Sequence, residues 1–184
     1  MLKIRLMSLN LIFMKKHQTD GLITNKSNIA LCATNADCIV LMMYDAQKHV
    51  IANVHSGWKG TVQKIASKTI DKMQEQYNCN PKDIICCISP SIRECHFEVD
   101  QDVKDAFLET FPKETDSIKQ AHEKWHIDTV RINIEMLKEK GLREENIIDS
   151  KICTVCNCSQ IHSYRGSKHH NGLEMGILEL KGMI

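Results

Sequence analysis

Thr34-Asn-Ala-Asp-Cys-Ile-Val-Leu-Met-Met-Tyr-Asp-Ala-Gln-Lys-His-Val-Ile-Ala-Asn-Val-His-Ser-Gly-Trp-Lys-Gly60 decides the reading of this chain. It predicts two strands, Cys38 to Tyr44 and Val50 to His55, joined through the polar segment Asp45-Ala46-Gln47-Lys48, which carries turn residues at its start. With Asp45 paired to Lys48, Cys38 falls opposite His55 on the same face. Opposed residues of a hairpin have Cβ atoms about 4.5–5.5 Å apart. A thiol and an imidazole at that separation can share a metal ion or exchange a proton, whereas a one-residue slip would put them on opposite faces. Two plainer readings compete: free cysteine is among the most buried residue types, and a strand-end histidine is commonly just hydrogen-bonded. The flanks favour a site. Asp37 stands at the mouth of the strand, and Gly57-Trp58-Lys59-Gly60 predicts a strand-to-helix turn that brings free backbone N–H groups and the positive end of a helix dipole to the same place.

Outward from this hairpin the periodicity alternates. Thr61 to Tyr77 predicts a helix, with Val62, Ile65, Ala66, Ile70, Met73 and Tyr77 on one apolar stripe. Ile84 to Ser89 is a continuous apolar run that predicts a buried strand. Asp100 to Phe111 and Thr129 to Lys140 predict further helices, the latter stopped by Gly141. Trp125–Asp128, Ile147–Cys153 and Leu173–Leu180 read as strands. Hairpins and helices mixed without regular βαβ alternation predict an α+β fold, a single domain of mixed sheets flanked by helices in layers. Leu6 to Met14 is apolar but short, ends in Lys15-Lys16 and lacks a small-residue cleavage site, so it reads as an edge strand or a poorly ordered end rather than a signal sequence.

The chain has 184 residues, enough for one substantial core. Its 24 basic and 23 acidic side chains give no global pull toward nucleic acid or membrane. Nine cysteines, an odd number that includes the adjacent Cys86-Cys87, do not suggest a disulfide framework. Reduced thiols in a cytoplasmic protein fit better. No feature fixes an oligomeric state.

Several segments carry a family resemblance. Thr34-Asn35-Ala36-Asp37-Cys38 resembles the motif T-A-D-C, and Val54-His55-Ser56-Gly57-Trp58-Lys59-Gly60 resembles A-H-A-G-W-R-G. Thr19-Asp20-Gly21-Leu22-Ile23-Thr24 is similar to A-D-G-L-V-T. Ile88-Ser89-Pro90-Ser91-Ile92 with Cys95-His96-Phe97-Glu98-Val99 is similar to I-G-P-x-I-x-x-C-x-Y-E-V. Trp125-His126-Ile127-Asp128, Cys153-Thr154-Val155-Cys156 and Ser163-Tyr164-Arg165 resemble W-H-L-D, C-T-x-C and S-Y-R-R. On these ordered motifs the chain is identified as a member of the laccase-domain, or polyphenol oxidase-like, family of zinc-dependent purine nucleoside phosphorylases. The resemblance spans residues 19–184, leaving 1–18 poorly matched.

The resemblance implies a zinc site with Cys38 and His55 as metal ligands, with copper less expected because no array of His-x-His pairs is present. It implies purine nucleoside and phosphate as substrates, Cys38, His55 and Asp37 as catalytic residues, and Gly57, Lys59 and Arg165 as substrate-binding ones. Deamination of adenosine and cleavage of methylthioadenosine are further activities it implies, and a metal that lowers the pKa of its water toward ~7 suits attack at C6 of adenine. The family's N-R and Q-V-H-G segments, the latter holding a third zinc ligand, have no counterpart here. His17 lies too near Thr19-Asp20-Gly21 to be that ligand, so a weakly held metal and reduced turnover are expected. Lys59 replaces an arginine, Gly166 replaces the second arginine of S-Y-R-R, and Leu173 stands where T-G-R would place another. Apart from the resemblance, Cys38 activated by His55 is also compatible with a cysteine hydrolase, and a non-catalytic family member is a third reading. Cys153-x-x-Cys156 with Cys158 lacks a second spaced pair and reads as structural thiols rather than a zinc ribbon. His169-His170 reads as a surface feature.

Overall fold

The β4–β5 hairpin, Ile39–Asp45 with Val50–Ser56, forms the centre of the molecule, because both of its faces are covered. The computed structural model describes residues 10–13, 19–167 and 172–182. The remaining elements are β1 (Asn10–Phe13), β2 (Gly21–Thr24), β3 (Ile29–Asn35), α1 (Trp58–Val62), α2 (Ile65–Tyr77), β6 (Ile84–Ile88), β7 (Glu98–Val99), α3 (Gln101–Thr110), β8 (Ile118–Ala121), β9 (Lys124–Ile127), α4 (Thr129–Glu139), β10 (Ile147–Asp149) and β11 (Glu174–Glu179). A five-stranded mixed sheet runs in the order β10-β6-β4-β5-β2. One of its faces presents Ile39, Leu41, Met43, Val50, Ala52 and Val54 to Ala66, Ile70 and Met73 of α2 in the main core. On the other face Val40 meets Ala33, and Ile51 meets Leu31 and Leu180, which belong to or flank a second sheet ordered β1-β3-β11. A small sheet, β7-β9-β8, completes the α+β architecture. Double-sided burial explains why β4 is apolar at nearly every position instead of alternating.

The hairpin differs from its sequence reading in register. Asp45 pairs with Val50, and Val40, not Cys38, lies opposite His55. The cause is the turn. Asp45 Oδ1 accepts from the backbone N–H groups of Gln47 and Lys48, each at 2.9 Å, and His49 takes a left-handed φ of 51°, so four residues make the connection. The ladder is thereby displaced by two positions. An even displacement preserves which face each side chain occupies, so Cys38 and His55 keep a common side.

Other boundaries moved for local reasons. The single helix expected over Thr61–Tyr77 is two, α1 and α2, separated where Lys64 takes φ 58°. The strand expected from Ile147 to Cys153 ends at Asp149, and Lys151 has φ 57°. The run Ile84–Ser89 forms β6, but its burial alternates and Ile85 is half-exposed. The apolar stretch near the N-terminus contributes β1, an edge strand parallel to β3. β2, β3, β7 and β8 had no strand expectation at all. His17 and His169-His170 lie outside the described residues. Among the described residues no helix is long and apolar enough to cross a membrane.

Asn53, fully buried on β5, joins the two large sheets. Its Nδ2 donates to Leu31 O at 2.8 Å and to Gly176 O at 2.9 Å. Among the described residues its Oδ1 has no hydrogen-bond partner, which offsets part of the gain. Replacing Asn53 by Ala is expected to cost roughly 1–3 kcal/mol, the range for removing one side of a buried hydrogen-bond set. Urea denaturation should show a lowered midpoint with an unchanged slope.

Candidate functional site at the Cys38–Gly57 junction

The chain leaves β3 at Asn35, turns through Ala36 and Asp37, and enters β4 after Cys38. The buried Asn35 side chain donates to Cys38 O at 2.7 Å and pins this turn. Asp37 is buried and adopts φ 83°, a left-handed conformation that Asp tolerates better than most residues. Its Oδ1 accepts from the Thr154 hydroxyl at 2.6 Å, and its Oδ2 accepts from the Arg165 backbone N–H at 2.7 Å. Its carbonyl accepts from Ile92 N at 2.8 Å. Both carboxylate oxygens therefore hold loops in place.

On the other strand the chain passes from His55 through Ser56 and Gly57 into α1. Ser56 Oγ donates to Asn133 Oδ1 at 3.0 Å, and Asn133 Nδ2 donates to Thr61 Oγ1 at 3.2 Å and to Thr129 O at 2.8 Å. This buried network fixes the turn against α4. A β-carbon at position 57 would lie 3.2 Å from Cys38 Sγ and 3.7 Å from His55 Nε2, so the thiol and the imidazole converge over a glycine whose lack of a β-carbon leaves them room. His55 Nδ1 lies 3.3 Å from Asp20 Oδ1, and His55 N donates to Asp20 O at 2.7 Å. With Nδ1 carrying the proton toward Asp20, the Nε2 lone pair is left for the cavity, the arrangement that orients metal-binding histidines.

Two cavities meet at this junction. One, of about 310 Å³, is lined by Asp37, Cys38, Ile39, Gly57, Trp58, Ile92, Phe97, Tyr164 and Arg165 among others. The second, of about 300 Å³, is lined by Asp20, Cys38, His55, Gly57, Trp58, Lys59 and Gly60. Cys38, Gly57 and Trp58 belong to both. Burial first, then the Asp37 and Asp20 carboxylates, push the Cys38 thiol above its ordinary value. A nucleophilic cysteine needs the opposite, while a bound cation would offset all three influences.

The cations expected around the pocket are present in part. Exposed Lys59 places Nζ 5.4 Å from the centroid of the Trp58 ring. Arg165 Nη1 donates to His96 O at 3.3 Å and to Glu98 O at 3.1 Å, which holds the guanidinium at the cavity rim. The dipole expected behind Gly57 is small, since α1 has only five residues. At Gly166 a β-carbon would lie 3.0 Å from Cys158 Cβ, a tight contact that a larger residue would have to displace.

A second group of donors lies beside this wall. Sγ of Cys95, Cys153 and Cys156 and a ring nitrogen of His96 all fall within 4.8 Å of one another, a set that could hold a metal ion. The pair missing from a reading based on Cys-x-x-Cys spacing is thus supplied by the adjacent residues Cys95-His96. Burial opposes ionisation of Cys153, but the Cys156 and Arg93 backbone N–H groups, the Cys95 thiol and the His96 ring together hold it down to about 6. Burial and the two neighbouring thiols push Cys95 up to about 12. All nine cysteines are free. Asp20 was the site residue that local motif reading missed, and the signal lay in strand pairing: Gly21 pairs with Val54, which puts Asp20 beside His55.

The wall is braced by Arg93, whose guanidinium donates to Asp149 Oδ2 at 2.9 Å and Oδ1 at 2.6 Å, and to Ser150 Oγ at 3.1 Å. Burial works against the Asp149 carboxylate, but Arg93 and the Lys151 N–H together lower its pKa below the ordinary range. A depressed folded-state pKa means that this stabilisation is complete above the unfolded value of about 4 and is lost as pH falls through the folded one. Arg93→Ala should therefore flatten the acid limb of a stability–pH curve below about pH 4 and lower stability above it. At Asp37, replacement by Asn keeps a residue suited to φ 83° and should cost roughly 1–2 kcal/mol. Replacement by Ala adds backbone strain of about 1 kcal/mol or more, an ordering that urea denaturation measures directly.

Residues 5–181 match the family described as multi-copper polyphenol oxidoreductase laccase. The purine nucleoside phosphorylase YlmD of Bacillus subtilis is 33% identical over 165 residues, covering 89% of this chain and 59% of that protein. A protein named adenosine deaminase RL5, from an unknown prokaryotic organism, is 31% identical over 148 residues, covering 79% of this chain and 56% of that protein. The crystal structure of the Bacillus licheniformis hypothetical protein YfiH superposes with a TM-score of 0.84 at 30% identity, covering 89% of this chain and 62% of that one. The chain thus spans less than two thirds of the length of each.

Proposed function

We propose that this chain, which belongs to the multi-copper polyphenol oxidoreductase laccase family, carries out zinc-dependent phosphorolysis of purine nucleosides such as adenosine and inosine. The observation that carries the reading is the convergence of Cys38 and His55 over Gly57, where two cavities meet. Relatives named purine nucleoside phosphorylase and adenosine deaminase support a nucleoside as the substrate class; adenosine deamination and methylthioadenosine cleavage are proposed as further reactions of the same pocket. The thiol and imidazole suit zinc better than a hard cation by donor type, and the Asp20 partner of His55 fits the same assignment. When bound there, zinc supplies Lewis-acid character at the junction of the cavities.

The chain's own residues account for the rest. Trp58, Ile92, Phe97 and Tyr164 give the larger cavity an apolar and aromatic lining that suits a purine. Phosphate attacks ribose C1′, the bond from C1′ to the base breaks, and ribose 1-phosphate and free base are the products. That departure needs positioned phosphate and stabilised charge. Lys59 on one side and Arg165 on the other are the cations assigned to it, and Gly57 keeps the space between them open. Asp37 acts as a positioning residue, holding the Thr154 and Arg165 segments through its two carboxylate oxygens. A cysteine-hydrolase reading is less well supported, because burial and two carboxylates raise the Cys38 thiol. Nine free cysteines suit a reducing, cytoplasmic setting.

Chromatography of base released from adenosine or inosine, with and without phosphate, tests the proposal. Release is expected to require phosphate and to be abolished by Cys38→Ala or His55→Ala. Asp20→Asn should lower metal affinity or turnover about 10–100-fold. Lys59→Ala should raise the KM for phosphate more than that for nucleoside, since it removes a single point charge. Phosphate-independent release that survives both Cys38→Ala and His55→Ala would overturn the assignment.

A further inference from the structure

We infer that Cys95, His96, Cys153 and Cys156 form a closed tetrahedral zinc site, separate from Cys38 and His55, which clamps together two loops of the cavity wall. The geometry is that of a coordination sphere. With Zn–S bonds of about 2.3 Å and a Zn–N bond of about 2.0 Å, the edges of a tetrahedron are roughly 3.8 Å between sulfurs and roughly 3.5 Å between sulfur and nitrogen. Cys95 Sγ lies 3.7 Å from Cys153 Sγ and 3.8 Å from Cys156 Sγ. His96 Nδ1 lies 3.5 Å from Cys156 Sγ, 3.7 Å from Cys153 Sγ and 3.1 Å from the adjoining Cys95 Sγ. Of these five distances, four fall within about 0.2 Å of such an edge and only the contact between sequence neighbours is clearly shorter, while the Cys153 and Cys156 sulfurs lie within 4.8 Å of each other.

Neither a disulfide nor simple packing accounts for the cluster as well. A disulfide needs one pair of sulfurs at about 2.05 Å, yet Cys95 is equidistant, within 0.1 Å, from two candidates. Apolar packing does not account for exposed Cys95 and Cys156 or for an imidazole among thiols. Cys153 and Cys156 follow the two-residue spacing common in structural zinc sites. Four protein donors leave no open position, so the site is structural and does not compete for substrate.

Its placement indicates what the clamp holds. The Cys95-His96 loop lies between Ile92 and Phe97, which line the larger cavity, and His96 O accepts from Arg165. Next to Cys153, Thr154 donates to the Asp37 carboxylate, and Thr154 N donates to Ser91 O at 3.1 Å. Without an ion, the two loops beside the cluster are joined mainly by the Ser91 bridge and the Arg93 contacts.

The full chain, carrying no histidine tag and purified without added metal, supplies the test. The Cys38→Ala/His55→Ala variant removes the other thiol–imidazole pair, so its zinc content reports on this cluster alone. One zinc per chain is expected, with X-ray absorption showing three sulfurs and one nitrogen around it. Substitution by cobalt should give the intense visible bands of a tetrahedral thiolate site. Adding Cys153→Ser and Cys156→Ser should abolish the zinc and lower Tm. If that variant does not fold, X-ray absorption on the Cys38→Ala/His55→Ala protein still decides. Folded Cys38→Ala/His55→Ala protein that holds no zinc, a zinc shell with fewer than three sulfurs, or a Cys95 disulfide in a non-reducing peptide map would each overturn the inference.

Discussion

The buried carboxylate of Asp37 is the constraint on which the rest of the site depends. It sits at the exit of β3 in a left-handed conformation, and its three acceptor atoms tie down segments distant in sequence: Thr154, Arg165 and, through the main chain, Ile92. None of these partners is a charged side chain. A buried charge of this kind persists only when its lone pairs are filled. Because it is satisfied only when all of the loops are in place, the residue converts local turn geometry into the assembly of one cavity wall. Cys38 follows it directly, so the direction of the thiol is set by the same latch.

The opposite wall is built on a neutral network instead. Ser56, Thr61 and Asn133 exchange hydrogen bonds beneath Gly57, anchoring the strand-to-helix turn to α4. The two walls meet where Cys38 Sγ and His55 approach the missing β-carbon of Gly57. Asp20 and Asp37 add negative charge around a thiol that burial already disfavours ionising. Such a site carries a surplus of negative charge, which a bound cation would offset.

Much of this was legible in the sequence because it is local. The hairpin, the glycine turn and the α2 stripe follow from turn chemistry and periodicity over a few residues. The shift in register is instructive. An aspartate that accepts two backbone N–H groups and a left-handed His49 lengthened the turn, but the slip was even and the facing of Cys38 and His55 survived it. What remained illegible depended on long-range pairing. β3 looks unremarkable as a sequence, since its Ala and Cys residues are small, yet it is the middle strand of a sheet. Asp20 acquires its role only through the β2–β5 ladder. The resemblance implies a catalytic role for Asp37, but its hydrogen bonds were not legible, since two of its three acceptors take partners more than a hundred residues away.

The two thiol–imidazole sets differ in the quantity that separates catalysis from scaffolding, the number of donors converging on one point. Among the described residues only Cys95, His96, Cys153 and Cys156 reach four ligand atoms within a single sphere. Cys38 and His55 offer two, at a place where cavities open on both sides. A filled sphere excludes solvent and substrate, and a partly filled one admits them. Neither set resembles the histidine-rich arrays that several coppers would need, so the copper in the family's description finds no counterpart in these donors. On the two proposals above, the fold divides its donors: a zinc-bound knot of Cys95, His96, Cys153 and Cys156 would brace the loops that carry Ile92, Phe97 and Thr154, beside the open Cys38–His55 pair at the hairpin mouth.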